Sequence, residues 1–423
     1  MKRLILDKKS YIITISPPYV NSAPHIGYAF EAAIADTLAR YLRFLGKTVT
    51  FIGSTDDNSF KLVEAAKRAG MDTKAFVDKF AAEYAALPKK LGLSYDVFYR
   101  TATKEHGDFV NSLIDRIDRR QIYKDRFKSY FCIDCEQFFG LDIPEPRICP
   151  IHNKAYSFFD EENYFLKIDD SDKERLLTEL TSKSIFPAKA LDLSREIIAG
   201  YKSFNFTVRN RYDWGLVFKQ DPEYVFYSSF DAVLGYLGSC PNQDADWRDP
   251  DTCLIQNFGL DILKFHSAYL PLIMLKLGLS PLPDYLLAHG LIQANGAKMS
   301  KSKNNAVSVD DLLKKFDPAS LRLYLLRHDL FADFDYNEAE IEKIHLIYNK
   351  FIDKFLPDVK KAPRPLAARP DLFDANICSF DFKANIDEFI DLIEKKDNFI
   401  DLDPAQTNFL LKFFTVFLSF DTK

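Results

Sequence analysis

The sequence predicts an α/β fold: a doubly wound parallel sheet interrupted by an insertion and followed by a small helical region. Three observations carry this. Short β-branched runs alternate with helical periodicity over the first hundred residues. The alternation stops near residue 120 and resumes past about residue 220, and the block between holds cysteines at metal-ligand spacing. Past Ser302 the pattern is helical only.

Residues 11–15 form a short β-branched and apolar run, broken by Ser16-Pro17-Pro18, and residues 27–45 place apolar side chains at helical spacing. The spacing predicts a second strand over 48–52 and helices over 59–69 and 73–87. The sheet begun there is incomplete, and its missing strands are expected at 224–227, 254–258 and 285–287, with helical stretches starting at Asp231 and Asp261. Residues 1–120 and 200–302 are therefore read as two halves of one domain, split by an insertion over 121–199. Residues 303–355 read as helices, and 356–370, with four prolines, as a linker into a reduced helical bundle ending at 423. The last helix, 407–420, is apolar on almost every side yet too short to span a bilayer, so it is expected to be buried in the bundle or covered by another protein.

Composition bounds the function. A chain of 423 residues with 47% hydrophobic content buries more than one core. A net charge of −5 argues against a surface that wraps a polyanion all round. The 38 phenylalanines are expected in the core rather than as base-stacking platforms. Six cysteines in a chain this long make no disulfide framework, and the first ten residues lack a long apolar run; both suit a cytoplasmic protein with no membrane partner.

Two segments carry the chemistry. Pro24-His25-Ile26-Gly27-Tyr28 stands where the first strand turns into the first helix. Free N–H groups, a glycine permitting close approach and an imidazole donor together suit an anion. Far downstream, Asn295-Gly296-Ala297-Lys298-Met299-Ser300-Lys301-Ser302 puts two lysines among serines on a glycine-bearing loop, as needed to hold triphosphate charge while pyrophosphate leaves. In the insertion, Cys132, Cys135, Cys149 and His152 form two tight knuckles of soft or borderline ligands, the set that one structural Zn2+ needs.

With both segments in this order on a split α/β domain, the chain resembles a class I aminoacyl-tRNA synthetase of the methionyl subfamily over about residues 10–350. Finer matches are Pro18-Tyr19-Val20-Asn21, Ser54-Thr55-Asp56, Asp231-Ala232 with Gly235-Tyr236, Phe258-Gly259 with Asp261-Ile262, Phe265-His266-Ser267 and His289-Gly290. The resemblance implies a Rossmann-type catalytic domain that joins an amino acid to ATP, with Mg2+, as an adenylate. It implies His25, Lys298 and Lys301 as catalytic groups, and an ATP site of His25, Gly27, Tyr28, Asp261, His289, Lys298, Ser300 and Lys301. It implies an amino-acid pocket of Pro17, Tyr19, Asp56, Ser229, Ala232, Val233, Tyr236, Ile262 and His266, with Asp56 receiving the α-ammonium. A helix N-cap is the competing role for Asp56.

The pattern also departs from the family. Tyr28 stands where a second histidine is usual, Asn58-Ser59 where His-Gly is usual, and Pro17 and Val233 replace other expected residues. Ser229 occupies the position of a tryptophan that packs on the thioether, so the pocket is expected to be larger or more polar unless Phe226, Tyr227 or Phe230 realigns to fill it. The stretch after residue 355 has no tryptophan and more acids than bases, unlike a domain that reads an anticodon. Three readings stay open: a ligase that charges the acceptor arm of tRNA, a paralog passing its amino acid to another acceptor such as a carrier protein, and a non-catalytic module binding amino acid or nucleotide.

Overall fold

The computed structural model describes residues 3–132, 137–150, 153–201, 203–279, 282–294, 296–299, 306–362 and 371–418. Its centre is a sheet of six strands: β1 (Ser10–Ile15), β2 (Thr48–Thr55), β3 (Val97–Arg100), β4 (Ser184–Phe186), β5 (Thr252–Gly259) and β6 (Tyr285–His289). The order is β3-β2-β1-β5-β6-β4 and every pair is parallel. Sheets of this kind are covered on both faces, so their strands read as continuous apolar runs. Every residue of β5 and β6 is buried accordingly.

β1 feeds helix α1 (Ile26–Phe44) and then β2 on one side, while β5 lies on the other. The chain thus reverses direction across the sheet between β1 and β5, and a crevice opens beyond their carboxyl ends. Helix α1 is buried along most of its length because the sheet lies on one flank and the carboxyl-terminal helices on the other. A buried charge cluster fixes that second contact. Asp36 Oδ2 meets Arg322 Nη1 at 2.5 Å and Arg40 Nε at 2.6 Å, and its other oxygen accepts from Ser94 N at 2.6 Å.

Three strands differ from expectation. Ser184–Phe186 lies inside the expected insertion yet forms the edge of the central sheet beside β6. Tyr224–Phe226, expected in that sheet, pairs instead antiparallel with Thr207–Arg209. Val97–Arg100 was not expected as a strand at all; half-buried at every position, it shows no alternation to read. Three-residue apolar runs do not announce which sheet they join, because contacts distant in sequence decide it.

The insertion is a four-stranded antiparallel sheet in the order Gln137–Phe139, Ile122–Cys132, Ser157–Lys167, Ser203–Asn205, so it continues past residue 199. After the central domain come helices Pro318–Leu326, Glu338–Lys354, Leu372–Cys378, Phe382–Lys395 and Pro404–Phe413, the last running on as a wider turn over Phe414–Leu418. Leu356–Val359 is helical, whereas 363–370 of the expected linker lie outside the described residues. The apolar last helix is covered by its own chain. Phe413 stacks on Phe389 at 4.3 Å and on Phe417 at 4.6 Å, and this core is continuous with that of α1. Of the two expectations for this helix, burial in the bundle is the one these contacts show. No helix among them is long and apolar enough to cross a membrane.

Candidate active site

The start of α1 and the stretch just after the lysine loop, both expected to serve phosphate, meet beyond the carboxyl end of β1. His25 caps α1, and its Nδ1 accepts the Gly27 N–H at 3.0 Å. A neutral ring that accepts at Nδ1 carries its proton on Nε2, the donor a phosphate oxygen needs. A Cβ on residue 27 would lie 2.8 Å from His25 Cε1, so the glycine is what lets the imidazole occupy this place. His25 also bridges Ser308 antiparallel, and the Ile26 N–H donates to Val307 O at 3.0 Å. The stretch just after the lysine loop is thereby stitched to the start of α1. On the other side of that loop, Ala297–Lys298 pairs with Ile292–Ala294, Gly296 adopts a φ of +69°, and Met299 is buried in the core. Ser300, Lys301 and the Lys298 side chain lie outside the described residues.

Asp56 stands just past β2 and is buried, with its N–H donating to Pro18 O at 3.0 Å and its backbone bridged to Tyr19. One of its oxygens accepts the Asn58 N–H at 3.3 Å. The helix that follows, Phe60–Arg68, is capped by Ser59, whose hydroxyl accepts from Lys61 N at 3.1 Å, so the cap expected as an alternative role of Asp56 falls to Ser59. Asp57 pairs with Arg100 at 2.9 Å, and Trp214 Nε1 donates to the Asp57 carbonyl at 3.2 Å. Asn58 Nδ2 donates to Asp231 Oδ2 at 2.6 Å, and His106 Nε2 lies 3.5 Å from the same carboxylate. Burial pushes the Asp231 carboxyl up, against the opposing pull of His106 and Asn58.

On the nucleotide side, Asp261 is exposed just past β5. Its carboxylate folds back over Gly259, where an added Cβ would come within 2.7 Å of Oδ1. His289 is buried instead. Its Nε2 is 3.2 Å from Glu31 and its Nδ1 2.7 Å from Gly290 O. Glu31 also accepts from Ser16 N at 2.5 Å, so it links His289 to the end of β1. Tyr28 is turned into the core, edge-on to Tyr84 at 5.0 Å, and burial raises its hydroxyl well above the usual range.

The expected side-chain pocket lies under helix Ser228–Gly238. Ser229, Ala232, Val233 and Tyr236 share one face of it by their spacing, and all are buried. The Tyr236 ring meets His266 at 5.3 Å, and His266 stacks on Phe258 at 3.7 Å. His266 Nδ1 faces Gln256 Oε1 at 3.2 Å; since that oxygen only accepts, Nδ1 donates. Burial holds the ring neutral, lowering its pKa to about 3. Ile262 and Pro17, both half-buried, stand at the carboxyl ends of β5 and β1. Phe226 and Phe230 stack on each other at 5.6 Å in a core with Phe206, and Tyr227 packs on Phe138 at 5.4 Å.

In the insertion, Cys132 and Cys149 are both buried. Cys149 opens a tight hairpin, its N–H donating to Lys154 O at 2.8 Å. Cys135 and His152 lie outside the described residues, and no group of three or more metal-ligating side chains forms among those described.

Sequence reasoning missed Glu31, Trp214, His106, Gln256 and Asn257. Nothing local marks them; Glu31 sits mid-helix and Trp214 in a loop, and only the fold brings Trp214 to Asp57, His106 to Asp231, Gln256 to His266 and Asn257 to Glu31. The profile of "tRNA synthetases class I (M)" matches residues 11–155 and 140–356. The methionine–tRNA ligase of Thermotoga maritima is 32% identical over 345 residues, covering 78% of this chain and 54% of that protein. The chloroplastic/mitochondrial methionine–tRNA ligase of Arabidopsis thaliana is 31% identical over 351 residues, 80% of this chain and 56% of that one. The chain spans about half the length of these curated relatives. In fold it is similar to the Mycobacterium tuberculosis methionyl-tRNA synthetase solved in complex with methionyl-adenylate, at a TM-score of 0.78 and 22% identity over 96% of this chain and 89% of that one. With the profile running through both halves of the split sheet and into the helices beyond, the chain belongs to the methionyl branch of the class I tRNA synthetases.

Proposed function

We propose that this chain activates an amino acid with ATP and passes it to an acceptor, read here as the acceptor arm of tRNA. The observation that carries the reading is the bridge between His25 and Ser308, which joins the anion-binding helix start to the stretch following the lysine loop at the switch point of the sheet. In the reaction a carboxylate oxygen of the amino acid attacks the α-phosphorus of Mg–ATP, the new P–O bond forms as the bond to the β-phosphate bridge breaks, and pyrophosphate leaves with the electron pair. No enzyme group becomes covalently attached, so catalysis is positioning and charge stabilisation. His25 donates to the phosphates, Gly27 admits them, Lys298 and Lys301 neutralise the departing pyrophosphate with Ser300 beside them, and Asp261 holds the ribose. Asp56 takes the α-ammonium beside Tyr19.

The insertion is proposed to hold one structural Zn2+ through Cys132, Cys135, Cys149 and His152. Support comes from two buried thiols, one at a strand end and one opening a tight hairpin, and from a donor set of three sulfurs and an imidazole. Bound there, the metal would cross-link the two knuckles and leave no position open to substrate.

The test is amino-acid-dependent ATP–pyrophosphate exchange over the twenty standard amino acids, with and without tRNA. Exchange followed by charging of tRNA establishes the ligase; exchange without charging moves the acceptor elsewhere; no exchange with any amino acid refutes activation.

A further inference from the structure

The buried residues around helix Ser228–Gly238 hold more unused polarity than a thioether can satisfy. Ser229 Oγ, Tyr236 Oη, Gln256 Nε2 and Thr14 Oγ1 are all buried, and none has a hydrogen-bond partner among the described residues. Leaving a buried polar atom unpaired costs about 1–3 kcal/mol, so four around one feature call for a ligand. They belong to one place. Ser229 and Tyr236 are two turns apart on one face of the helix. Thr14 and Gln256 are register partners on β1 and β5, so their side chains stand side by side on one face of the sheet. The ring of His266 joins the two groups, touching Tyr236 on one side and Gln256 on the other.

We infer that the amino acid taken by this site has an uncharged side chain of about methionine's length that ends in a hydrogen-bond acceptor, an amide or sulfoxide oxygen rather than a thioether. This rests on the activation reading above and names its substrate class. The donors decide the ligand: Gln256 Nε2 can only donate, and its Oε1 is already taken by His266, while the three hydroxyls can turn to donate. None of these side chains is charged, and the neutral His266 adds no charge, so an ionised side chain would be buried without a counter-ion. Ser229 in the tryptophan's place is a smaller side chain that brings one of the donors.

The test compares kcat/KM in ATP–pyrophosphate exchange for methionine, norleucine, glutamine and methionine sulfoxide. The expected result is that glutamine or the sulfoxide exceeds methionine by at least tenfold, and that norleucine is poorest. Ser229→Trp should reverse the order in favour of methionine. Ser229→Ala should lower the polar substrate's kcat/KM about tenfold while changing norleucine little. Methionine and norleucine ahead of both polar analogues overturns the inference and leaves activation standing. Exchange with none of the four or of the twenty standard amino acids overturns both. If Ser229→Trp does not fold, the ranking by the unaltered chain decides alone.

Discussion

Gly27→Ala isolates what the geometry of His25 contributes. The new methyl would lie 2.8 Å from Cε1 and 2.9 Å from Nδ1 of the imidazole, distances that carbon does not tolerate, so the ring must rotate off the Gly27 N–H it accepts at 3.0 Å. Two stability terms then nearly cancel. Losing the cap costs about 1 kcal/mol, and replacing glycine by alanine inside a helix returns up to about 1 kcal/mol. The fold should therefore melt within a few degrees of the unaltered chain. Activation should not survive so well, because a preorganised donor aimed at developing phosphate charge is worth roughly 10²–10³ in rate, about 2.7–4 kcal/mol. The assay is single-turnover adenylate formation beside thermal unfolding, for Gly27→Ala, His25→Ala and the double variant. If the alanine acts only by displacing the ring, all three should be slow to the same degree, the double variant no slower than His25→Ala. A Gly27→Ala protein within threefold of the unaltered rate would refute the idea that this ring position serves the phosphates.

Asp36→Asn would leave the buried Arg322 guanidinium without its carboxylate and should cost about 3–5 kcal/mol in denaturant unfolding. Against burial, Arg322 and Arg40 hold the Asp36 carboxyl down at about 2, so its contribution is whole above the ordinary carboxylate range and is lost as pH falls through about 2. A shift of that size is worth at most about 2–3 kcal/mol, and the burial that lowers Arg322 to about 10 offsets part of it. Acid unfolding of the Asp36→Asn protein should be correspondingly shallower below pH 4; an identical profile would remove the pair from the account. Asp56→Ala should abolish amino-acid binding in calorimetry while ATP affinity stays within about threefold; loss of ATP binding with amino-acid binding intact would assign Asp56 to the loop instead. Metal analysis should return about one zinc per chain, with chelation loosening the insertion before the central sheet. A metal-free preparation with an equally protease-resistant insertion would dispose of that site.

Much of the central domain was legible because its signals are local. β1, α1 and β2 announce themselves by periodicity, and the helix start and the lysine loop by residue type. The short strands were not, since Ser184–Phe186 and Tyr224–Phe226 carry nearly the same apolar pattern yet join different sheets. The surroundings of Tyr28 were hidden for a related reason. Its position in the motif places it one turn into α1, but whether that turn faces phosphate or core depends on Tyr84, more than fifty residues away. His289 is expected at the nucleotide, and the partner it meets in the fold, Glu31, lies 258 positions away. The substituted tryptophan position could be read; what surrounds the vacated place could not, because Thr14 and Gln256 reach it only through the pairing of β1 with β5.

The departures from the family pattern are coupled to one another. Where His-Gly is usual, Ser59 takes over the cap of the following helix, which glycine has no side chain to provide. Asn58 spends both amide protons at once, on Asp231 at 2.6 Å and on Thr101 O at 3.0 Å. Asp231 belongs to the same helix as Ser229, two positions along, and Asn58 is two residues from Asp56. The carboxylate that would receive the ammonium is therefore tied, through a single buried side chain, to the helix that would choose the substrate's side chain. Asn58→Ala would break that tie and leave His106, at 3.5 Å, as the side chain facing Asp231 among the described residues. Because both ends of the amino acid are held by the pieces Asn58 joins, the loss should appear as lower discrimination between substrates as well as a higher KM. A purely local role in the loop would raise KM equally for every amino acid and leave their ranking untouched.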